Sequence, residues 1–112
     1  VGTIAIGDHN VFREGVTIHR ALKPDGQTRV GDHNYLMAGA HLGHDTHLGN
    51  NCVFANNSLA GGHVVIEDRS FVSGAVAIHQ FCRVGQFSMT GCLGQFFSLY
   101  DWRLPNRAAP PH

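Results

Sequence analysis

Apolar side chains recur at every sixth position along most of this chain. Stepping in sixes from residue 6, fourteen of sixteen positions are apolar and not proline, whereas 43% of sixteen would be about seven. The two exceptions are Pro24 and Thr90. The fourteen are Ile6, Phe12, Ile18, Val30, Leu36, Leu42, Leu48, Phe54, Ala60, Ile66, Val72, Ile78, Val84 and Phe96.

A second position of each hexad is small. Two residues before the large apolar side chain stand Ala40, Thr46, Cys52, Ser58, Val64, Ser70, Val76, Cys82 and Ser88. One large and one small inward residue per six is typical of hexapeptide-repeat β-helices, in which three strand-and-turn hexads close one triangular coil. We therefore predict an all-β fold, a parallel β-helix of about five coils followed by an irregular C-terminal tail. Known hexapeptide helices coil left-handed, against the usual crossover rule, and by analogy with them we expect the same hand here.

Interruptions of the repeat set the predicted boundaries. Pro24 lies in "ALKPDGQT", which predicts a loop excursion near residues 20–28 from a β-helix over residues 1–95. The segment 96–112 is rich in aromatic residues and then prolines, and we expect it to cap the last coil. Asparagine pairs at 50–51 and 56–57 and the "GDHN" segments are expected at the corners, since these residues tolerate left-handed backbone.

Charge and cysteine content narrow the possible classes of protein. Eight Lys and Arg balance eight Asp and Glu, so there is no electrostatic argument for nucleic acid or an anionic membrane. No apolar run is long enough to predict membrane insertion. Three cysteines without a CxxC motif favour a reducing, cytoplasmic location. Cys52 and Cys82 fall at small inward positions on different walls, so no disulfide is expected.

The length suggests one domain that does not stand alone. The chain has 112 residues and begins at Val1 without an initiator methionine, which suggests a piece of a longer protein. A thin prism buries little core, so we expect association through its faces, most simply as a homotrimer.

Histidine is abundant, with nine in the chain, and several converge. The segment "AHLGHDTHLG" holds His41, His44 and His47 three residues apart. Because residues eighteen apart stack in adjacent coils, three columns form one patch: His44 with Gly62 and Gln80, Gly43 with Gly61 and His79, and Asp45 with His63 and Phe81. His9, His33 and His112 lie elsewhere and are interpreted as solvated.

The motifs that carry this patch resemble a known family. In order they are "IGDHNVFREGVTIHR", "AHLGHD", "NNCVFANNSLAGGHV" and "AIHQFCRVG". They are similar to the central coils of the UDP-N-acetylglucosamine O-acyltransferases of lipid A biosynthesis, from about Ile4 to Gly91. The resemblance implies a trimeric left-handed β-helix with active sites between subunits. It implies transfer of a 3-hydroxyacyl group from acyl carrier protein to the 3-hydroxyl of a UDP-sugar, without cofactor.

The resemblance also assigns roles to residues. His44 would be the general base, since the pKa of histidine lies near working pH. Asp45 would orient its ring or favour its protonated form, and the Gly62 N–H would stabilise the thioester oxyanion. Cys92 occupies a position that limits acyl-chain length in the family. The substrate-binding positions are His41, His63, His79, Gln80, His19, Arg20 and Cys92.

Two alternatives stay open. The family's further N-terminal coils and C-terminal helical domain have no counterpart here, so the chain could be a truncated, inactive trimeric scaffold. Trimeric hexapeptide carbonic anhydrases bind zinc with histidines from two subunits, which gives a zinc-binding alternative. Because the columns place a glycine and an amide over His44, and not two more histidines, we predict a site without metal.

Overall fold

Short parallel strands make up the regular structure. The computed structural model describes residues 2–90 and the backbone of residues 95–96, and in these it contains fourteen strands and no helix. They are β1 Thr3–Ile6, β2 Val11–Phe12, β3 Thr17–Ile18, β4 Gln27–Val30, β5 Tyr35–Leu36, β6 His41–Leu42, β7 His47–Leu48, β8 Val53–Phe54, β9 Leu59–Ala60, β10 Val65–Ile66, β11 Phe71–Val72, β12 Ala77–Ile78, β13 Arg83–Val84 and β14 Gln95–Phe96.

Every third strand pairs, which gives three parallel sheets. The first sheet has the order β1-β4-β7-β10-β13, the second β11-β8-β5-β2 and the third β14-β12-β9-β6-β3. From β4 onward paired residues are eighteen apart, as in His47 with Val65 and Val65 with Arg83. Five coils therefore stack into a left-handed triangular prism, and the predicted fold is confirmed.

The first and second coils are offset by one extra hexad. Thr3 pairs with Gln27, and Thr17 pairs with His41, so partners here are twenty-four residues apart. The six additional residues lie between β3 and β4, around the predicted loop. Ala21 anchors this loop with 1% of its surface exposed. The domain boundaries themselves stay a prediction.

From the second coil onward, the prism interior holds the residues that the repeat assigned to it. Leu42, Phe54 and Val72 are fully buried, and Leu48 and Ile66 are 3% and 1% exposed. Among the described residues, no buried side-chain nitrogen or oxygen lacks a hydrogen-bond partner. The small inward hydroxyls achieve this by bonding backbone carbonyls of the same or the next coil. The predicted core is confirmed from Val30 to Val84, whereas Ile6 and Phe12 in the first coil are 48% and 38% exposed because only one coil packs against them.

The corners are turned by single residues in the left-handed conformation. Asn51 and Asn57 each have a φ of 57°, and His33 has 58°, as expected from the asparagine pairs and "GDHN". The same conformation is imposed on side chains that do not favour it. These include Arg69, Ala75, Phe81 and Phe87. The stacking of coils therefore fixes the backbone at a corner whichever residue occupies it.

A ladder of carboxylate and amide oxygens runs along the corner between the first and second sheets. The backbone N–H of Asp8 donates to Asp32 Oδ1 at 2.7 Å, and the Asp32 N–H donates to Asn50 Oδ1 at 2.7 Å. The Asn50 N–H donates in turn to Asp68 Oδ1 at 2.8 Å. Corner N–H groups point along the helix axis here, so Asp or Asn in the next coil satisfies each one.

The two described cysteines lie at the small inward positions that the repeat assigned to them. Cys52 and Cys82 are buried and precede β8 and β13, which lie on different sheets as predicted. Burial raises the pKa of the Cys52 thiol. Cys92, His112 and the predicted cap lie outside the described residues, apart from the Phe96 backbone in β14. Within the described part of the chain, no helix could cross a bilayer.

Candidate active site

The three histidines of the segment "AHLGHDTHLG" occupy three different parts of the prism. His41 lies on β6 of the third sheet, and His47 lies on β7 of the first sheet. His44 stands between them at the corner. The His47 ring is exposed and its Nε2 lies 3.2 Å from the carbonyl oxygen of Gln27. The spacing of three residues thus follows one turn of the wall, and only His44 is at the corner.

Gly62 lies directly against the ring of His44. The register of β6, β9 and β12 stacks His44, Gly62 and Gln80 in one column, as the sequence predicted. A Cβ atom at Gly62 would overlap Nε2 and Cε1 of His44. Within the described part of the chain, the Gly62 N–H donates no hydrogen bond. The column therefore places the Gly62 backbone against an imidazole nitrogen, and it can do so only because residue 62 has no side chain.

Asp45 holds the other side of the same ring. Its Oδ2 lies 3.0 Å from Nδ1 of His44, and the Asp45 side chain is only 14% exposed. The hydrogen bond from His44 is the main cause that lowers the pKa of Asp45, and the backbone N–H of Leu22 contributes. An ionised carboxylate only accepts, so Nδ1 must carry the proton of this bond.

The backbone around Asp45 is fixed by the loop excursion. The Leu22 N–H donates to Asp45 Oδ2 at 3.3 Å, and the Asp45 N–H donates to the buried hydroxyl of Thr28 at 2.8 Å. A Cβ atom at Gly26 would lie 2.9 Å from Asp45 Oδ1. Sequence analysis missed all three residues. The extra hexad was visible, but nothing in the pattern indicated that the loop returns over Asp45.

His63 reaches the same carboxylate from the next coil. Its Nε2 lies 3.7 Å from Asp45 Oδ2, and its ring centroid lies 5.1 Å from that of His44 in an edge-on arrangement. On its other side His63 stacks on Phe81 with centroids 4.7 Å apart. The sequence placed His63 in the column of Asp45, next to that of His44. The structure adds that His63 lies near the same Asp45 carboxylate that bonds His44; the His44–Asp45 pair is called the dyad below.

His19 and His41 form a separate pair beside this corner. Their ring centroids are 4.5 Å apart, and His41 Nδ1 lies 2.6 Å from the Thr17 hydroxyl. Burial, and then the neighbouring His19, lower the pKa of His41. A cleft of about 430 Å³ joins His19 to His44. Its lining residues are Ile4, Ile18, His19, Arg20, Leu22 and His44.

The remaining predicted residues lie one coil further along the columns. His79 and Gln80 lie beyond Gly61 and Gly62, and Gln80 packs its Cγ near Gly61, where an added Cβ would lie 3.3 Å away. The structure thus brings His44, Asp45, Gly62 and His63 into contact and puts His19 and Arg20 beside them. It keeps His47 on another wall.

Comparison with known proteins agrees with the fold and the motif. Residues 27–62 match the bacterial transferase hexapeptide (six repeats) model. The chain is 51% identical over 89 residues to the acyl-[acyl-carrier-protein]–UDP-N-acetylglucosamine O-acyltransferase of Pseudomonas paraeruginosa, and 48% to that of Pseudomonas fluorescens. The chain resembles the UDP-N-acetylglucosamine O-acyltransferases. The resemblance found in the sequence is confirmed.

Solved structures give the same likeness in three dimensions. LpxA from Acinetobacter baumannii superposes with a TM-score of 0.81 at 38% identity, over 84% of this chain and 37% of that one. The Arabidopsis UDP-N-acetylglucosamine acyltransferase gives 0.78 at 43% identity, over 79% and 31%. The matches to the two Pseudomonas enzymes cover 79% of this chain and 34% of each relative, so this chain spans about a third of their length.

Proposed function

We propose that this chain carries the catalytic corner of an O-acyltransferase that moves a 3-hydroxyacyl group from acyl carrier protein to the 3-hydroxyl of UDP-N-acetylglucosamine. The observation that carries the proposal is the dyad of His44 and Asp45, with the other ring nitrogen of His44 held against Gly62. The similarity to enzymes named for this donor and acceptor supports the choice of substrates.

The geometry supports His44 as the base. Asp45 Oδ2 accepts a hydrogen bond from the Nδ1–H of His44 at 3.0 Å. Nε2 of the neutral ring therefore keeps a free lone pair. A base positioned by a carboxylate keeps one tautomer and one orientation, and the carboxylate stabilises the imidazolium formed when the base takes a proton. Its half-buried position at the mouth of the cleft leaves the ring accessible to substrate.

The reaction then proceeds by direct attack. His44 Nε2 takes the proton of the sugar hydroxyl as its oxygen attacks the thioester carbonyl carbon. The tetrahedral oxyanion accepts a hydrogen bond from the Gly62 N–H, and one such donor contributes about 3 kcal/mol to transition-state stabilisation. The intermediate collapses with loss of the thiolate, which receives the proton from the His44 imidazolium. No covalent enzyme intermediate is required.

Other polar residues near the corner are proposed to hold the substrates. Arg20 and His19 line the cleft beside His44, where a cation suits the phosphates of a nucleotide sugar. His63 and His41 lie on either side of the dyad. His79 and Gln80 are proposed contacts further along the columns for the donor and its acyl chain, and Cys92 is proposed to limit the length of that chain.

The proposal includes a homotrimer in the cytoplasm. The outward side chains of the second sheet form an apolar column, which supports association through that face. Its members are Val11, Tyr35, Val53, Phe71 and Met89. Cys52 and Cys82 are buried on different sheets and form no disulfide with each other, which supports a reducing compartment.

A second candidate function is a trimeric scaffold without catalysis. This chain spans about a third of the relatives' length, and the parts of the relatives that it does not span could supply contacts that catalysis needs. An assay of the purified chain with 3-hydroxyacyl acyl carrier protein and UDP-N-acetylglucosamine separates the two. Product that increases linearly with enzyme supports the acyltransferase. A folded chain that forms no product at any substrate concentration supports the scaffold and contradicts the acyltransferase.

A further inference from the structure

We propose that His44, Asp45 and His63 bind one Zn²⁺ ion per chain and that bound zinc blocks the proposed acyl transfer. The binding part of this inference stands on geometry alone. The inhibition part rests on the proposed function. The ion is an inhibitor here and has no part in the acyl-transfer steps, so the predicted mechanism stays metal-free, but the prediction from the sequence that this site takes no metal is replaced.

The distances suit a small divalent ion. Asp45 Oδ2 lies 3.0 Å from His44 Nδ1 and 3.7 Å from His63 Nε2, and one ligand atom of each residue lies within 4.8 Å of the others. Ligand atoms around tetrahedral zinc at about 2.0–2.1 Å are about 3.3–3.4 Å apart. The two measured distances bracket this value. The distance from His63 Nε2 to Asp45 Oδ2, 3.7 Å, is longer than the tetrahedral spacing. The His63 side chain is 41% exposed, and its rotation shortens this distance.

The donor set is chemically appropriate. Two imidazoles and a carboxylate are common zinc ligands, and three protein ligands leave a fourth position for water. The carboxylate is already oriented, because Leu22 donates to Oδ2 and Thr28 holds the Asp45 backbone. Partners of this kind reduce the reorganisation needed on binding and strengthen a metal site. Phe81 supports the His63 ring by stacking.

Zinc and catalysis compete for the same tautomer. The proposed base needs a proton on Nδ1 of His44 and a free lone pair on Nε2. Zinc on Nδ1 displaces that proton, and the neutral, metal-bound ring then carries its proton on Nε2. The ring can no longer accept a proton from the sugar hydroxyl. Acyl transfer should therefore fall in proportion to zinc occupancy and return when a chelator removes the ion.

The binding test is calorimetric titration of ZnCl₂ into the full chain and two matched variants. His63→Asn removes a ligand but suits the corner, where φ is 58°. His33→Asn is the same substitution at a corner with the same φ of 58°, and it also removes half of the stacked His9–His33 pair, the rival histidine site. We expect one tight site in wild type, a loss of about tenfold or more in affinity for His63→Asn, and no change for His33→Asn.

Other outcomes overturn the site. Equal affinity in wild type and His63→Asn, or a loss in His33→Asn instead, shows that zinc binds elsewhere. If His63→Asn does not fold, zinc-induced shifts of imidazole signals in wild-type NMR spectra decide, since His44 and His63 should move and His9 and His33 should not. Acyl transfer by metal-free protein is measured separately. Its absence would contradict the proposed function without affecting the zinc result, and activity unchanged at full zinc occupancy would contradict the inhibition.

Discussion

The chemistry of His44 depends on which of its two ring nitrogens carries the proton. Asp45 fixes that choice at 3.0 Å, and the missing side chain of Gly62 lets the other nitrogen lie against the backbone of residue 62. His47, three residues on, has the same side chain but contacts a carbonyl oxygen on another wall. The two histidines therefore make a matched pair for testing the site.

His44→Ala should lower acyl transfer by about a hundredfold or more, since general bases contribute about 10²–10⁴. His47→Ala should stay within about twofold, because its ring lies on the first sheet. Initial rates at saturating acyl carrier protein thioester provide the measurement. Equal losses in the two variants would remove the special role of the corner.

Asp45→Asn tests the charge of the dyad and its effect on stability. The pKa of Asp45 is lowered in the folded chain, so its ionised form stabilises the fold above the ordinary carboxyl pKa of about 4. This contribution disappears as the pH falls through the lower, folded pKa. Urea unfolding should show wild type more stable than Asp45→Asn at pH 7, with the difference shrinking below about pH 4. A difference that is independent of pH would contradict an ionised Asp45.

At the scale of single elements, each corner is turned by one left-handed residue and packed by its neighbours in the next coil. Gly62 lies at such a corner and packs against the His44 ring of the preceding coil. The loop between β3 and β4 supports the same corner from the opposite side through Leu22, and Thr28 at the start of β4 does so as well. Substitutions at the Gly62 corner, or in the loop and at Thr28, should therefore lower acyl transfer although they replace no catalytic side chain.

Gly62→Ala should displace the His44 ring, because the added Cβ overlaps Nε2 and Cε1. We expect acyl transfer to fall at least tenfold, together with a loss of about 1–3 kcal/mol in unfolding free energy if the ring cannot rotate away. Gly74→Ala is the control, since its Cβ would meet only the Asn56 carbonyl oxygen at 3.4 Å. It should stay within about 0.5 kcal/mol of wild type. Full activity in Gly62→Ala would disprove the close contact.

Thr28→Val removes the hydroxyl that accepts the Asp45 N–H, and the unsatisfied amide should cost about 1–3 kcal/mol. Thr90→Val is the matched control. It removes the same kind of contact far from the site, because the buried Thr90 hydroxyl accepts a hydrogen bond from the Ser73 N–H at 2.9 Å. Both variants should lose similar unfolding free energy, measured with urea. Only Thr28→Val should also lower acyl transfer. Equal activity in the two would mean that the Thr28 contact is purely structural.

At the scale of the whole molecule, the faces of the prism differ in polarity. The second sheet presents the apolar column from Val11 to Met89, whereas the first sheet presents Arg29, His47 and Arg83 at the matching positions. In a closed threefold ring each subunit uses two different surfaces. The apolar column of one subunit can therefore pack near the catalytic corner of the next.

Val53→Lys should convert the predicted trimer to monomer, because it puts a charge in the middle of the apolar column. Val65→Lys makes the same change on the first sheet, between His47 and Arg83, and should leave the trimer intact. Light scattering at micromolar concentration provides the measurement, and acyl transfer should be lost with the trimer. A monomeric wild-type chain would contradict the assembly.

The sequence by itself determined the walls of this protein. Each hexad repeats one local choice, a large side chain and a small one turned inward, so Leu42, Phe54 and Val72 could be assigned to the core without knowing their neighbours. Because the coils from β4 onward stack at eighteen residues, the same count placed Gly62 beside His44 and His63 beside Asp45. The candidate site could be predicted as far as the backbone register decides it.

The tertiary structure alone decided how the side chains meet. A column says which residues are neighbours, but the distance of His63 Nε2 from Asp45 Oδ2 depends on side-chain torsions and on the stacking of Phe81. The contacts of Leu22 and Thr28 with Asp45 depend on the path of a loop that has no repeat. Periodicity fixes only what recurs in every coil. The six residues inserted once, and the torsions they constrain, are set by contacts between segments that are distant in sequence.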